Sequence, residues 1–276
     1  MKCIFCKKDS TKSKSVEHII PMSLGNKKHI LKKGIVCDVC NSYFSNKIER
    51  EVLENKFFMN IRFRNFIESR HNRIPLGQAL IPKTKYLAEV NLNDGIQIQI
   101  DEKSFDLIIN KKINHLIIPY DRNIPKDCQN FSRLLGKMAL EMLALNVIKN
   151  EKDLLDFVNE QQFDTLRNYV RYNNKRENWV YSSRIIYDEN EKFYLEDGNT
   201  VDMIFECDFL ATEKFEIYFI FAYKGIEFVI NMAGSSIDGY LEWLEKNNNI
   251  SPLYRKDSNF GYKLTPDFIK NNRDKC

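Results

Sequence analysis

Four of the seven cysteines fall within the first forty residues, as Cys3-x2-Cys6 and Cys37-x2-Cys40. Two residues between thiolates let both sulfurs of one turn converge on a single ion, with backbone N–H groups supporting them. In a reducing cytoplasm such a pair of knuckles reads as a tetrahedral Zn²⁺ site held by Cys3, Cys6, Cys37 and Cys40. Two redox pairs or unrelated buried thiols are the alternatives. The gap of 30 residues between the knuckles exceeds the ~15–20 of a plain ribbon, so something is inserted there. Cys128, Cys207 and Cys276 are scattered and read as ordinary core or terminal thiols.

The insert contains Glu17-His18-Ile19-Ile20-Pro21 and then Ser23-Leu24-Gly25-Asn26, and Asn41 follows the second knuckle directly. An imidazole with an unperturbed pKa of ~6.5 can accept a proton near neutrality. One carboxylate and one amide oxygen suit a hard cation such as Mg²⁺, which keeps several waters. Taken alone, His18 on an apolar strand reads as a core histidine and Asn41 as a helix N-cap. Their joint placement between and beside the knuckles favours chemistry.

These residues resemble the HNH family of endonucleases, whose fold is a ββα-metal finger. The family pattern is an acid–His–apolar–apolar–Pro segment, a Gly-containing loop, and a C-x-x-C-Asn entering a helix. Glu17-His18-Ile19-Ile20-Pro21, Leu24-Gly25 and Cys37-Asp38-Val39-Cys40-Asn41 fill those parts, and the match covers about the first 55 residues. The resemblance implies metal-dependent hydrolysis of phosphodiester bonds, with DNA (double-stranded) as the substrate. It makes His18 the general base that activates water, and Glu17 and Asn41 the holders of a catalytic Mg²⁺ or Mn²⁺. Zinc would then be a staple, fixing the backbone at Cys40 and so the start of the helix bearing Asn41. A helix beginning near Asn41 would aim N–H groups toward a phosphate. Two features depart from the pattern. Glu17 stands where Asp is common, and Lys32-Lys33-Gly34 offers no counterpart to the middle polar residue. The partner that supports His18 is therefore unassigned, with His29 a possible substitute.

Charge separates this segment from the rest. Residues 1–50 hold ten Lys and one Arg against four acids, whereas the whole 276-residue chain carries only +4. Such a split points the first fifty residues at a polyanion. Lys27, Lys28, Lys32, Lys33 and Lys47 are candidate phosphate contacts, or simply a solvated face. With 43% apolar residues the chain has ample material for a core. Its longest apolar run, Ile217–Tyr223, is far short of the ~20 residues that cross a bilayer. Residues Met1–Lys8 hold no secretion signal, so a cytoplasmic protein without membrane partners is expected.

The elements that must position these groups are read from periodicity. A helix from about Asn41 runs through Ile48, Val52, Phe57, Ile61 and Phe66. A hairpin follows, with Leu87–Leu92 and Ile96–Ile100 flanking Asn93-Asp94-Gly95. Helices are expected over 127–149, with Phe131, Leu134, Leu135, Met138, Met142 and Leu145 on one face, and over 152–172. Strands follow over 180–187, 201–209, 215–222 and 226–232, then a short helix around 237–246 and a weakly ordered tail. The expected fold class is α+β. A zinc-stapled ββα-metal finger over 1–60 would precede a mixed helix and antiparallel-sheet domain over 61–276, for recognition, regulation or dimerisation. A homodimer would suit a double-strand cutter, and restriction-like bacterial defence is a fitting setting. Two other readings compete: a non-catalytic zinc finger that binds nucleic acid, and a zinc-stabilised protein-interaction adaptor.

Overall fold

A computed structural model describes residues 1–110, 113–120, 124–173, 179–194 and 199–254. Cys276 and the end of the tail lie outside the described residues. The chain sorts into two compact units. One comprises Met1–Ile20, Lys28–Glu49 and the chain from Lys126 onward; the other comprises Pro21–Lys27 and Arg50–Pro125. Mixed helix and antiparallel sheet make up the fold. No helix among the described residues is long and apolar enough to cross a membrane.

In the first unit, a two-residue pair, β1 (Glu17–His18) and β2 (Ile30–Leu31), runs antiparallel with Glu17 opposite Leu31 and His18 opposite Ile30. Helix α1 (Asp38–Phe44) follows and opens into a wide π turn over Ser45–Glu49. It starts three residues before Asn41 because Cys37, in extended backbone, supplies the N-cap position. The long helix expected from Asn41 to Phe66 is thus divided. Beyond the π turn come α2 (Arg50–Leu53) and α3 (Lys56–Arg64), the latter restarted by Asn55, whose side chain accepts from the Phe57 N–H at 2.9 Å.

The second unit holds α2 and α3, a three-stranded antiparallel sheet of β3 (Gly77–Leu80), β4 (Leu87–Asn91) and β5 (Gln97–Gln99), and helix α4 (Glu102–Asn110). The hairpin expected at Asn93-Asp94-Gly95 joins β4 to β5, with Asn91 opposite Gln97 and Gly95 at φ 86°.

The core of the first unit forms around helix α5 (Gln129–Val147), which is buried on nearly every side from Phe131 to Met142. A helix buried on every side belongs inside a domain, and the polar residues buried with it, Ser132, Arg133, Lys137 and Glu141, have partners there. The segment expected as one helix over 152–172 is two. An Asn150–Asp153 capping box starts α6 (Glu151–Asn159), and α7 (Asp164–Arg171) begins after a short 3₁₀ turn. Arg167 ties the break by donating to the carbonyls of Phe157 and Glu160 at 2.5 and 2.6 Å.

An antiparallel sheet packs against α5. Its strands are β6 (Tyr181–Ile185), β9 (Phe205–Ala211), β10 (Ile217–Tyr223) and β11 (Ile226–Asn231), in the order β6-β11-β10-β9; a small pair, β7 (Phe193–Tyr194) and β8 (Thr200–Val201), lies apart. Phe131 of α5 meets Phe228 edge-on at 4.7 Å. Tyr218, Ile220 and Val229 instead join a cluster with Tyr240 and Leu244 of helix α8 (Asp238–Lys246). Both sheet faces are covered, which explains why Ile217–Tyr223 is apolar without alternation. Lys224 and Gly225, both at positive φ, turn β10 into β11. A Cβ on Gly225 would strike the Tyr187 carbonyl.

Beside this cluster lies a buried polar network. The Glu227 carboxylate accepts from Tyr240 Oη and Arg184 Nε, each at 2.5 Å, and from Ser251 Oγ. Glu206 accepts from Tyr187 Oη at 2.8 Å. Burial raises the Glu206 carboxyl from an ordinary 4.5 to about 7, against the opposing pull of the tyrosine hydrogen bond. Between those two values the folded chain holds a proton that the unfolded chain has released. Stability therefore falls as pH rises through this window. Glu206→Gln should flatten the slope: in urea melts from pH 5 to 8, the wild type should lose about 1–3 kcal/mol more than the variant.

Candidate metal centre and active site

Two knuckles bring the four cysteines together. In the first, the Lys7 N–H bonds the Cys3 carbonyl and the Cys3 N–H bonds the Lys8 carbonyl, each at 2.9 Å, with Lys7 in the left-handed region. In the second, Cys37 precedes α1 and its carbonyl accepts the Asn41 N–H at 2.9 Å. The two lie side by side through Ile4 N–H to Ile35 O at 3.0 Å and Ser10 Oγ to Gly34 O at 2.5 Å. The Sγ atoms of Cys3, Cys6, Cys37 and Cys40 all lie within 4.8 Å of one another, and Cys6 and Cys37 stand 3.6 Å apart. A tetrahedron with Zn–S bonds of ~2.3 Å has edges of ~3.8 Å, so the donor set fits Zn²⁺. Without a cation the sulfurs compete. A hydrogen bond with Cys40 draws the Cys3 thiol down to about 5 while the Cys40 thiol is pushed up, and burial pushes Cys6 up to about 11. A divalent ion removes that conflict by allowing all four to be thiolates.

The knuckles and the segment leading into β1 both hold α1. Asp38, its first residue, accepts from Ser15 N–H at 2.8 Å, Ser15 Oγ at 2.5 Å and Lys14 N–H at 3.0 Å. These bonds hold its carboxyl below the usual carboxylate range, with Ser15 the main cause. A seven-residue helix whose first turn already carries this carboxylate does not present the open N-terminus expected for phosphate. One turn on, Asn41 Nδ2 donates to the Val16 carbonyl at 3.3 Å, immediately before Glu17 and His18. This bond ties Asn41 to the backbone next to Glu17 and His18. On the strand, Glu17 is buried and His18 half-buried, as alternation to opposite faces requires.

Glu17 has a partner that spacing did not reveal. Lys137, in the middle of α5, is fully buried, and its Nζ lies 2.7 Å from Glu17 Oε1, 2.9 Å from Glu49 Oε1 and 3.0 Å from Glu141 Oε2. It also reaches the carbonyls of His18 and Ile19 at 3.2 and 3.4 Å. Burial raises the Glu17 and Glu141 carboxyls. Burial also disfavours the Lys137 charge, but Glu141, Glu17 and Glu49 outweigh it and hold the ammonium well above its ordinary value. Glu17 Oε2 makes no hydrogen bond to any described residue. A carboxylate oxygen left without a hydrogen bond has the chemistry of a hard-cation ligand. The sequence did hold a signal for Lys137: a Lys and a Glu at i and i+4 inside Leu134-Leu135-Gly136-Lys137-Met138-Ala139-Leu140-Glu141-Met142.

Tyr43 of α1 is gripped by two arginines. Arg171 lies 4.0 Å from its ring centroid and donates from Nε to Cys40 Sγ at 3.3 Å, while Arg133 Nη2 donates to Tyr43 Oη at 2.5 Å. The Arg171 contact puts positive charge against a cluster that stays net negative with zinc bound. Lys27, Lys28, Lys32, Lys33 and Lys47 are all exposed. His29 is half-buried, its ring 5.7 Å from that of Phe205, and burial lowers its pKa.

Residues 3–57 match the HNH endonuclease family. The matched segment includes all four cysteines, Glu17, His18, Asn41 and Glu49, and the family it resembles is one of nucleases that act on nucleic acid. No curated protein and no solved structure matches the chain. Lys137, Glu141, Arg133 and Arg171 lie outside the HNH segment.

Cys40→Ser should reduce bound zinc from about one per chain to near zero, measured by metal analysis of the purified protein. Hydrogen exchange across residues 1–49 should accelerate in the same variant, because the staple and the Arg171 contact both end at that sulfur.

Proposed function

We propose that the protein is a metal-dependent HNH endonuclease that hydrolyses DNA phosphodiester bonds. The reading rests on the HNH match over residues 3–57, within which Asn41 bonds the backbone immediately before Glu17-His18. Residues 1–60 act as the catalytic finger, and 61–276 as a recognition, regulatory or dimerisation domain. His18 is the general base, taking the proton of the attacking water as its oxygen approaches phosphorus. Glu17, through its free oxygen, and Asn41 hold Mg²⁺ or Mn²⁺. Bound there, the ion neutralises charge growing on the phosphate and on the leaving 3′ oxygen. Structural Zn²⁺ fixes the start of α1 and with it Asn41. Lys27, Lys28, Lys32, Lys33 and Lys47 contact phosphates of double-stranded DNA, and their exposure supports that role. The setting is cytoplasmic and restriction-like, and a homodimer supplies two cuts.

Purified protein should nick or linearise plasmid DNA with Mg²⁺ or Mn²⁺ and should be silent in chelator. His18→Ala should lower the rate by about 100-fold or more while DNA still binds. Binding without cutting under either metal would instead favour a nucleic-acid-binding zinc finger. Neither cutting nor binding would favour an interaction adaptor. Cutting that survives His18→Ala would remove that residue from the mechanism.

A further inference from the structure

We infer that Lys137, on a helix outside the HNH segment, is a positioning residue for the Glu17–Ile19 strand of the active site. The inference rests on the endonuclease reading above and names a component of that site which the family match does not reach.

Strand β1 is two residues long and pairs with only two residues of β2, a ladder too short to fix a side chain's position by itself. The Lys137 ammonium supplies the missing restraint. It gathers carboxylate oxygens from Glu17 and Glu49 and the carbonyls of His18 and Ile19, all within 3.4 Å. One cation therefore joins both ends of the constellation: the strand bearing Glu17 and His18, and the π turn that follows the helix bearing Asn41. Packing alone does not explain it. Burying a lysine strips its ammonium of water, and a Met or Leu at this point of α5 would fill the core without that penalty. The ammonium binds Glu17 through Oε1 and leaves Oε2 without a hydrogen bond. One carboxylate oxygen is thus anchored and the other remains for an ion. Lys137 is fully buried, so it does not touch DNA, and its loss should separate catalysis from binding.

Removing Lys137 alone would strand three carboxylates, so the informative variant is Lys137→Met/Glu141→Met, which replaces the i,i+4 pair with apolar side chains. Glu141→Met alone is the packing control, because it leaves the contacts of Lys137 with Glu17, Glu49 and the two carbonyls in place. The double variant should cut plasmid DNA about 10–100-fold more slowly in single turnover and bind Mn²⁺ about 10-fold more weakly. Its bound zinc and its Kd for an uncleavable duplex should stay within about twofold of wild type, and the control within about threefold on every measure. Wild-type rate and Mn²⁺ affinity in the double variant would overturn the inference. Loss of zinc, DNA binding and cutting together would also overturn it, by reducing Lys137 to a stability role. If the wild type cuts no DNA, the endonuclease reading fails by itself. Mn²⁺ affinity then decides the positioning role, and equal binding in wild type and variant, or none in wild type, overturns it.

Discussion

Four sulfurs held within 4.8 Å of one another make the constraint on which the amino-terminal segment depends. Four thiols at that spacing cannot all ionise unaided, since each thiolate disfavours its neighbours' ionisation. A divalent ion turns this repulsion into four bonds. Once made, those bonds fix Cys37 and Cys40, and α1 between and beyond them has little freedom left. A segment this small buries too little apolar surface to hold such geometry otherwise. Phe5 against Phe44, ring centroids 4.6 Å apart, is a sample of what it has.

The same segment is completed by residues far along the chain. Phe44 and Ile48 are fully buried, while Tyr43, Cys40, Glu17 and Glu49 each meet a charged side chain from α5 or α7. Lys7 pairs with Asp164 at 2.6 Å. These contacts explain why Met1–Ile20 and Lys28–Glu49 share a compact unit with the chain after Lys126. They also revise the meaning of the positive charge near the amino terminus. Lys7 is neutralised within the unit, whereas Lys28, Lys32, Lys33 and Lys47 remain exposed.

How much of this was legible depended on the range of the interaction. The zinc ligands, Glu17, His18 and Asn41 stand in short motifs, where a spacing of two or three residues dictates local geometry. The α5 helix and strands β6, β10 and β11 were legible because burial concentrates apolar residues in runs bounded by turn residues, whereas the strand expected over 201–209 divides into β8 and β9. Helix breaks were not. Asn55 and Glu160 are caps only once their side chains bond the following N–H groups, and both residue types are common on helix surfaces too. The Lys137 cluster was less legible still. Its three carboxylates come from residues 17, 49 and 141, and nothing in a linear chain marks that meeting except a lysine where the pattern calls for an apolar residue.

The zinc cluster and the buried ammonium act on opposite sides of the same few residues, by different physics. Zinc–thiolate bonds are short and directional, so at these cysteines they would set where α1 starts. The ammonium has only three donors but a full charge on a flexible stem, so five oxygens at 2.7–3.4 Å share it, held in part by attraction in a medium of low polarity. A directional clamp suits the helix, whose dihedrals propagate from its first turn to Asn41. A non-directional one suits β1, where a carboxylate and two successive carbonyls from adjacent residues must be held together. Neither clamp substitutes for the other: zinc leaves Glu17 free to turn, and the ammonium leaves the helix start undefined. The site proposed from Glu17, His18 and Asn41 would draw on both, and only one of them lies inside the segment that the family pattern describes.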